Sequence, residues 1–231
     1  RAKNNSFGMQ QSPLQDLRVL DLSRVVSGPF CTQLLADMGA DVIKVESPTG
    51  DDTRNFGPPF VKGVSTYFLS NNRGKRSIVL DLKKEGSSSV VEDLARWAEV
   101  VVVNYRPGVA ERLGVDYCSL SAINPKLIYA NISGFGLRGH EEYSSLPGYD
   151  LVLQGMGGMP SLTGPKESTP FKMAGSIADI IAALHAFGAI TTALIALGRT
   201  GKGQLLDISM YDGQLATLMY HATAWLNGNV E

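Results

Sequence analysis

Hydrophobic positions along the chain follow two alternating rhythms. Short apolar runs at Arg18–Leu22, Ala40–Glu46, Ser77–Leu82, Glu99–Asn104, Lys126–Ser133 and Gln204–Met210 predict strands. Between them, apolar residues at three- and four-residue spacing predict helices over Phe30–Met38, Lys84–Trp97, Tyr117–Asn124 and Ile177–Leu197, with a last one over Tyr211–Leu226. The runs VVVV at 100–103 and LIYANI at 127–132 have almost no polar face, which suits strands covered by helices on both sides. The alternation predicts an α/β fold with a mostly parallel sheet, right-handed crossovers and helices on both faces.

The stretch Val19–Arg54 carries the most local information. Ser27 or Gly28 can cap a helix there, and Pro29 suits the first helical position, where no N–H partner is needed. Phe30, Cys31, Leu34, Leu35 and Met38 then form one apolar face, Gly39 suits a left-handed helix end, and ADVIKVE follows as a strand. This is Rossmann-like architecture. A dinucleotide-binding turn would carry several glycines so that backbone could close on a pyrophosphate. Arg24–Pro29 has a single glycine and an apolar lip, so the site is built for something other than a nicotinamide cofactor.

Two segments break the alternation. Ser47–Arg76 and His140–Thr169 are rich in Gly, Pro, Ser or Asn, and are expected to be long irregular loops of functional use. In the first, Asp51, Asp52 and Arg54 are expected to form a structural ion pair rather than touch a substrate. Several motif matches fail on context. Gly134–Gly139 fits G-x-G-x-x-G and follows a strand, but the polar, proline-interrupted HEEYSSLPG follows where a helix should begin. Gly198–Gly203 lacks the Ser or Thr of a phosphate loop and reads as a turn. His140, His185 and His221 lack metal-site spacing, and there is no G-x-S-x-G elbow.

Composition narrows the partners. The 231 residues are 44% hydrophobic with a formal net charge of −1, which is ordinary for a globular chain and argues against nucleic-acid binding. Cys31 and Cys118 are expected to be buried free thiols. The apolar stretch Ile177–Leu197 contains Asp179, His185 and two threonines, so it is expected to be a core helix rather than a membrane span. Residues 1–13 are expected to be a flexible segment. The chain starts at Arg1, as a processed or trimmed product would. Arg1 and Lys3, with no acid before Asp16, suit either a disordered terminus or the tail of a transit peptide, hence a mitochondrial-matrix or cytoplasmic protein.

One carboxylate stands out. Asp179 falls in the first turn of the long helix, where the helix field stabilises a negative charge. It reads either as a capping aspartate or as a nucleophile able to form a covalent acyl intermediate. Basic residues cluster near strand ends: Arg73, Lys75 and Arg76, then Lys83 and Lys84, then Arg106 and Arg112. Each alone is an ordinary surface charge. Together they can gather at the carboxyl ends of the strands, where α/β folds bind ligands, and would suit a polyanion with a long neutral arm.

Here the chain resembles a family, the class III CoA-transferases, which include formyl-CoA, carnitine and succinyl-CoA–glutarate CoA-transferases. The resemblance rests on DLSRVVSGPFCTQLLADMGADVIKVE (21–46), GDDTR and GPPF (50–60), NNRGKRSIVLDLK (71–83), VVNYRPG (102–108), ISGFG (132–136), GYD (148–150), the Asp179 helix, and TGKGQ with DISMYDG (200–213). It runs from about residue 14 to the end and implies that residues 14–231 are a CoA-binding large domain. The small domain and the Gly-rich loop over the reacting aspartate would lie outside this chain. It implies a dimer of interlocked chains, no permanently bound cofactor, and as partners an acyl-CoA and a small carboxylic acid. Asp179 matches the nucleophile. Val26, Ser27, Leu80, Asp81, Leu82, Lys83, Asn104, Tyr105, Arg106, Arg112, Ser133, Gly134, Phe135 and Gly136 match the CoA-contacting segments.

There are departures from the family pattern. Val26 and Ser47 stand where formyl-CoA transferase has glutamine and arginine, which counts against formate and oxalate; the loops look most like the succinyl-CoA–glutarate type. Three rivals remain: an α-methylacyl-CoA racemase, a non-catalytic CoA-binding or dimerisation fragment, and an NAD enzyme. Tyr149 stands where the racemase has its histidine base, and a tyrosine is a poor base near neutral pH.

Overall fold

Each predicted strand is present in the computed structural model, which describes residues 11–138 and 140–228, and each is shorter than its apolar run. In chain order the elements are β1 (Arg18–Asp21), α1 (Ser27–Asp37), β2 (Asp41–Glu46), β3 (Phe60–Val61), β4 (Val64–Ser65), α2 (Thr66–Asn72), β5 (Arg76–Val79), α3 (Ser87–Trp97) and β6 (Val100–Val103). There follow α4 (Val109–Arg112), α5 (Tyr117–Ile123), β7 (Ile128–Ser133), α6 (Glu141–Ser144), α7 (Asp150–Met156), α8 (Ile177–Thr200), β8 (Gln204–Ser209), α9 (Met210–Ala216) and α10 (Met219–Gly228). Of the N-terminal segment 1–13, residues 1–10 lie outside the described residues. Gln11, Ser12 and Pro13 are exposed, and the Ser12 carbonyl accepts from the Gln15 N–H (2.9 Å) in a turn that leads to β1.

The main sheet runs β5-β2-β1-β6-β7-β8, with every pair parallel. Counted in chain order this is 3-2-1-4-5-6, the Rossmann order, and the order reverses between β1 and β6. The alternating pleat sends Val19, Val42, Val100, Val102, Ile128 and Ala130 to a core under α1 and α8. Leu20, Val45, Val101, Val103, Leu127 and Tyr129 go to a second core under α3 and α5. Both faces are therefore covered, which explains strands with no polar side.

Several boundaries differ from the sequence reading, for local reasons. The chain enters α1 through Val26, whose carbonyl accepts from the Phe30 N–H (2.8 Å), so Pro29 is the third helical residue, not the first. That position also lacks an intrahelical N–H partner, so the proline is tolerated. Gly39, at φ +101°, ends the helix as expected. The segment Ser47–Arg76 is not wholly irregular. It holds the β3–β4 hairpin and α2, which Ser65 caps by accepting from the Tyr67 and Phe68 N–H groups. His140–Thr169 likewise contains α6 and α7. Ser209 caps α9 by accepting from the Asp212 N–H, so Met210 belongs to that helix and not to the strand. The last predicted helix is two. The Thr217 hydroxyl and N–H both donate to the Gln214 carbonyl, which closes α9 before Met219 opens α10 at φ +31°.

Helix α8 is buried along one side only. Ala178, Ala182, Ala183, Ala186, Ile190 and Ala193 bring it close to α1 and β7, while Leu184 and Ile195 on the other side are 48% and 61% exposed. It is long and apolar enough to cross a membrane, but its alanine side is committed to this core. Cys31 is a buried free thiol; Cys118 is free but exposed, because α5 turns Leu120 rather than Cys118 inward.

Candidate active site

The turn between β1 and α1 lies at the point where the strand order reverses, and it is held from below by buried charge. Asp21, fully buried, accepts from Lys75 (3.0 Å), from the Thr32 hydroxyl (2.6 Å) and from the Ser23 hydroxyl. Burial alone would push Asp21 up, but the Lys75 and Lys44 ammonium groups and the two hydroxyls outweigh it and hold the carboxyl well below its usual range. Burial lowers Lys75 to about 8 despite that pairing. Lys44 pairs with Asp51 (2.9 Å), with both side chains 1% exposed, and donates to the Ser23 carbonyl (2.7 Å). Gly28 packs so closely on Ser23 that a Cβ there would lie 2.1 Å from the serine Cβ, so only glycine fits.

Asn104, just past β6, closes the turn from the other side. Its side chain accepts from the Arg24 N–H (2.9 Å) and donates to the Arg24 carbonyl (2.6 Å) and the Ser27 hydroxyl (3.2 Å). Val25 sits between these anchors at φ +68°, and its N–H points to both Asp51 carboxylate oxygens (3.3 and 3.4 Å). A branched residue in that region is strained.

Above the turn runs a trough with two parts. A cavity of about 310 Å³ is lined by Ser23, Arg24 and Asp51 on one side and by Leu80, Asp81, Leu82, Lys83 and Tyr105 on the other. A second cavity of about 180 Å³ shares Arg24 and Tyr105 with it and adds Val25, Ser27, Asn104, Arg106, Ser133, Gly134, Tyr149, Asp150 and Asp179. Burial, and then the nearby Asp21 charge, push the Tyr105 hydroxyl up to about 12, so it stays protonated.

Asp179 occupies the first turn of α8, on the floor of the second cavity. The helix field alone predicts a lowered Asp179 pKa, but the reverse holds: burial is the main reason its carboxyl is pushed up to about 7, and the neighbouring Asp150 carboxylate adds to this. The hydroxyl and N–H of Ser27, at the start of α1, pull the other way. Asp150 is fixed by accepting from the Ala178 N–H (2.8 Å) and from Gln154 Nε2 (2.7 Å), so it caps α8 from α7. A contact between two glycines brings α7 here. A Cβ on Gly134 would lie 2.6 Å from the Gly148 Cα, so the loop before α7 rests directly on the loop after β7. The Arg106 guanidinium donates to the Tyr149 hydroxyl (3.1 Å), and the buried Ser133 hydroxyl has no hydrogen-bond partner among the described residues. The result is a carboxyl raised to about 7, at a helix N-terminus, in a cavity that Arg24 and Arg106 also line. It can attack a carbonyl carbon.

Most of the residues singled out from sequence meet at this trough. Ser27, Leu80, Asp81, Leu82, Lys83, Asn104, Tyr105, Arg106, Ser133, Gly134 and Asp179 all line it. Four do not. Val26 is buried beneath the turn, since the left-handed Val25 takes the exposed place. Arg112 projects from α4 outside both cavities. Phe135 turns away to pack between Tyr143 and Tyr211 (centroids 5.8 and 5.6 Å), and Gly136 lies beside Asp207.

The supposed basic cluster also divides. Arg73 and Arg76 pair with Asp37 and Asp41 at the amino ends of the sheet, Lys75 is buried, and Lys83 and Arg106 are the members that line the trough. The expected pairing among Asp51, Asp52 and Arg54 is absent. Asp51 pairs with Lys44, Asp52 with Arg24, and Arg54 with Glu46, which that guanidinium and Ser77 hold at about 2 against the effect of burial. Arg24, Val25, Asp150 and Lys44 were missed as site residues. Asp150 alone had a signal, its place in the Gly-Tyr-Asp motif.

Residues 14–231 match the family model described as CoA-transferase family III. The chain is 45% identical over 216 residues to a succinate–glutarate CoA-transferase of Agrobacterium fabrum, covering 90% of this chain and 54% of that protein. An acetyl-CoA:oxalate CoA-transferase of Acetobacter aceti is 45% identical over 217 residues, with 93% and 55% covered. Among solved structures, a CaiB/BaiF family protein from Brucella suis superimposes with a TM-score of 0.92 at 45% identity, covering 96% of this chain and 59% of that one. The chain spans about half the length of the curated relatives it matches. It belongs to family III of the CoA-transferases.

Proposed function

We propose that this chain is the CoA-binding part of an enzyme that moves CoA from a dicarboxylic acyl-CoA, of the succinyl-CoA kind, to a carboxylic acid such as glutarate, with Asp179 as the nucleophile. The observation that carries this reading is Asp179 itself: a carboxyl pushed up to about 7 by burial and Asp150, lining a cavity that shares Arg24 and Tyr105 with a second one beside it. The relatives named for succinate, glutarate and oxalate support a dicarboxylate class. So do Arg24 and Arg106, two guanidinium groups in the cavity that contains Asp179. Leu80–Lys83 and Tyr105 would lie along the CoA moiety, and Ser27, Asn104, Ser133 and Gly134 would lie near its thioester end.

The chemistry balances without an external energy source. The ionised Asp179 attacks the thioester carbonyl, the C–S bond breaks, and CoA thiolate leaves behind a mixed anhydride. The thiolate attacks the aspartyl carbonyl, releases the donor acid as carboxylate and forms an aspartyl-CoA thioester. An acceptor carboxylate attacks that thioester, expelling the thiolate and forming a second anhydride. The thiolate then attacks the acceptor's acyl carbon, and Asp179 leaves as carboxylate. One thioester replaces another, so ATP is not required. A carboxyl titrating near 7 is a stronger nucleophile than one titrating near 4, and it is still substantially ionised at neutral pH.

In the whole protein we propose an interlocked homodimer, in which the exposed apolar residues of α7, α8 and α10, Val152, Leu184 and Trp225 among them, are covered. A mitochondrial-matrix or cytoplasmic location is proposed on the N-terminal charge pattern alone. The test is trapping. Full-length protein incubated with succinyl-CoA and hydroxylamine is expected to carry a hydroxamate at Asp179, seen by mass spectrometry. An unmodified Asp179 that turns over substrate overturns the reading. Deuterium entering the acyl α-carbon instead would indicate racemisation.

A further inference from the structure

The strained turn raises a question that the reaction does not answer: what keeps Val25 at φ +68°? A β-branched residue there loses about 5- to 150-fold in equilibrium terms, at about 1–3 kcal/mol and about 1.4 kcal/mol per decade, unless neighbours hold it. The two backbone groups that lead into Val25, the Ser23 carbonyl and the Val25 N–H, are gripped by one buried ion pair. Lys44 donates to the Ser23 carbonyl (2.7 Å), Asp51 receives the Val25 N–H (3.3 and 3.4 Å), and the two side chains meet at 2.9 Å. Asp51 is itself anchored, since its N–H donates to Glu46 Oε2 (2.9 Å) and its Oδ1 accepts from the Thr53 hydroxyl (2.7 Å).

We propose that the buried Lys44–Asp51 pair is a positioning device: it holds Val25 in its left-handed conformation and so presents Ser27 to the Asp179 carboxyl. Neither residue needs to touch the reacting carbon. Asp51 acts through Val25, and Val25 acts through Ser27, two residues along, whose hydroxyl and N–H oppose the rise of the Asp179 pKa. Val26 is carried inward by the same turn, which puts Val25 rather than Val26 on the cavity wall. A pair that served stability alone would have no reason to end on the two backbone groups that lead into the one strained residue of the turn.

The inference deepens the proposed function, but its first readout does not depend on it. Glycine adopts φ +68° freely, so Val25→Gly removes the need for a clamp. The full-length protein is prepared as wild type, Asp51→Asn, Val25→Gly and the double variant. In each, the Asp179 carboxyl is titrated by the pH dependence of carbodiimide modification at that residue. In Asp51→Asn the midpoint is expected to rise, as Ser27 leaves the carboxyl. In the double variant it is expected to return to the wild-type value. CoA affinity, measured by calorimetry, is expected to weaken about tenfold in Asp51→Asn.

An unmoved Asp179 midpoint in Asp51→Asn, or a midpoint that glycine does not restore, overturns the positioning role. A midpoint that moves and is restored while no variant binds CoA upholds the clamp and overturns the CoA reading. If Asp51→Asn gives no folded protein, Val25→Gly alone decides. With the strain relieved it should be as stable as wild type, and a tenfold or greater loss in the folding equilibrium overturns the proposal.

Discussion

At the β1–α1 end of the trough, buried carboxylates are matched with cations: Asp21 with Lys75, and Asp51 with Lys44. At the α8 end, Asp179 faces a second carboxylate, Asp150, and the hydroxyl of Ser27. Both ends hold acids at least partly withdrawn from water, yet Asp21 is held well below its usual range while Asp179 is pushed up to about 7. The difference separates two tasks. A compensated pair fixes backbone in a shape that propensity would not choose, while an uncompensated carboxyl keeps its reactivity.

The largest effect expected from breaking this contrast is at Asp21. Asp21→Ala strands the buried Lys75 ammonium, and thermal or urea unfolding should show a loss of about 3–5 kcal/mol. Next comes the glycine contact that joins the two ends. Gly134→Ala drives a methyl group into the Gly148 backbone and should cost about 1–3 kcal/mol in the same assay, with Asp150 displaced from the Ala178 N–H.

Asp179→Asn should act in the opposite direction. An unfolded aspartate titrates near 4 and the folded one at about 7, so the folded state binds more protons across that window and wild-type stability falls as pH rises through it. The amide removes that loss. The full shift would correspond to about 4 kcal/mol at pH 8. Because the Asp179 carboxyl is only partly buried and solvent screens it, the variant should be more stable than wild type there by on the order of 1 kcal/mol, and equal to it at pH 4 or below, by unfolding at both pH values. The smallest effect is at Asp150→Asn. The amide oxygen still accepts from Ala178 while the amide NH2 then faces Gln154 Nε2, which should cost about 0.5–1 kcal/mol in stability. The like charge is gone, so the Asp179 midpoint should fall below 7 in a carbodiimide titration.

The sheet was legible because its strands have no polar face to confuse the period: VVVV at 100–103 can only be a strand covered on both sides. Asp179 was legible as a helix-start carboxylate. Helix α7 was not, because LVLQGM is short, follows Pro147 and Gly148, and owes its position to Gly134, fourteen residues earlier. The left-handed Val25 had no signal at all, since branched residues disfavour that conformation and only Asp51 and Asn104, distant in sequence, impose it. The charges were visible one by one, but their partners were not. Lys75 crosses from the amino side of β5 to Asp21, and no spacing rule connects residues 54 apart.

The distance between Arg24 and Asn104 has a consequence for biosynthesis. Asn104 closes the turn across 80 residues of sequence, whereas Asp150 reaches the start of α8 across 28. A chain emerging from the ribosome must therefore hold its first strand and turn unfinished until the fourth strand of the main sheet has cleared the exit tunnel. Val19, Leu20 and Leu22 are exposed for that interval, and this is where a chaperone that recognises short apolar segments would engage the nascent protein.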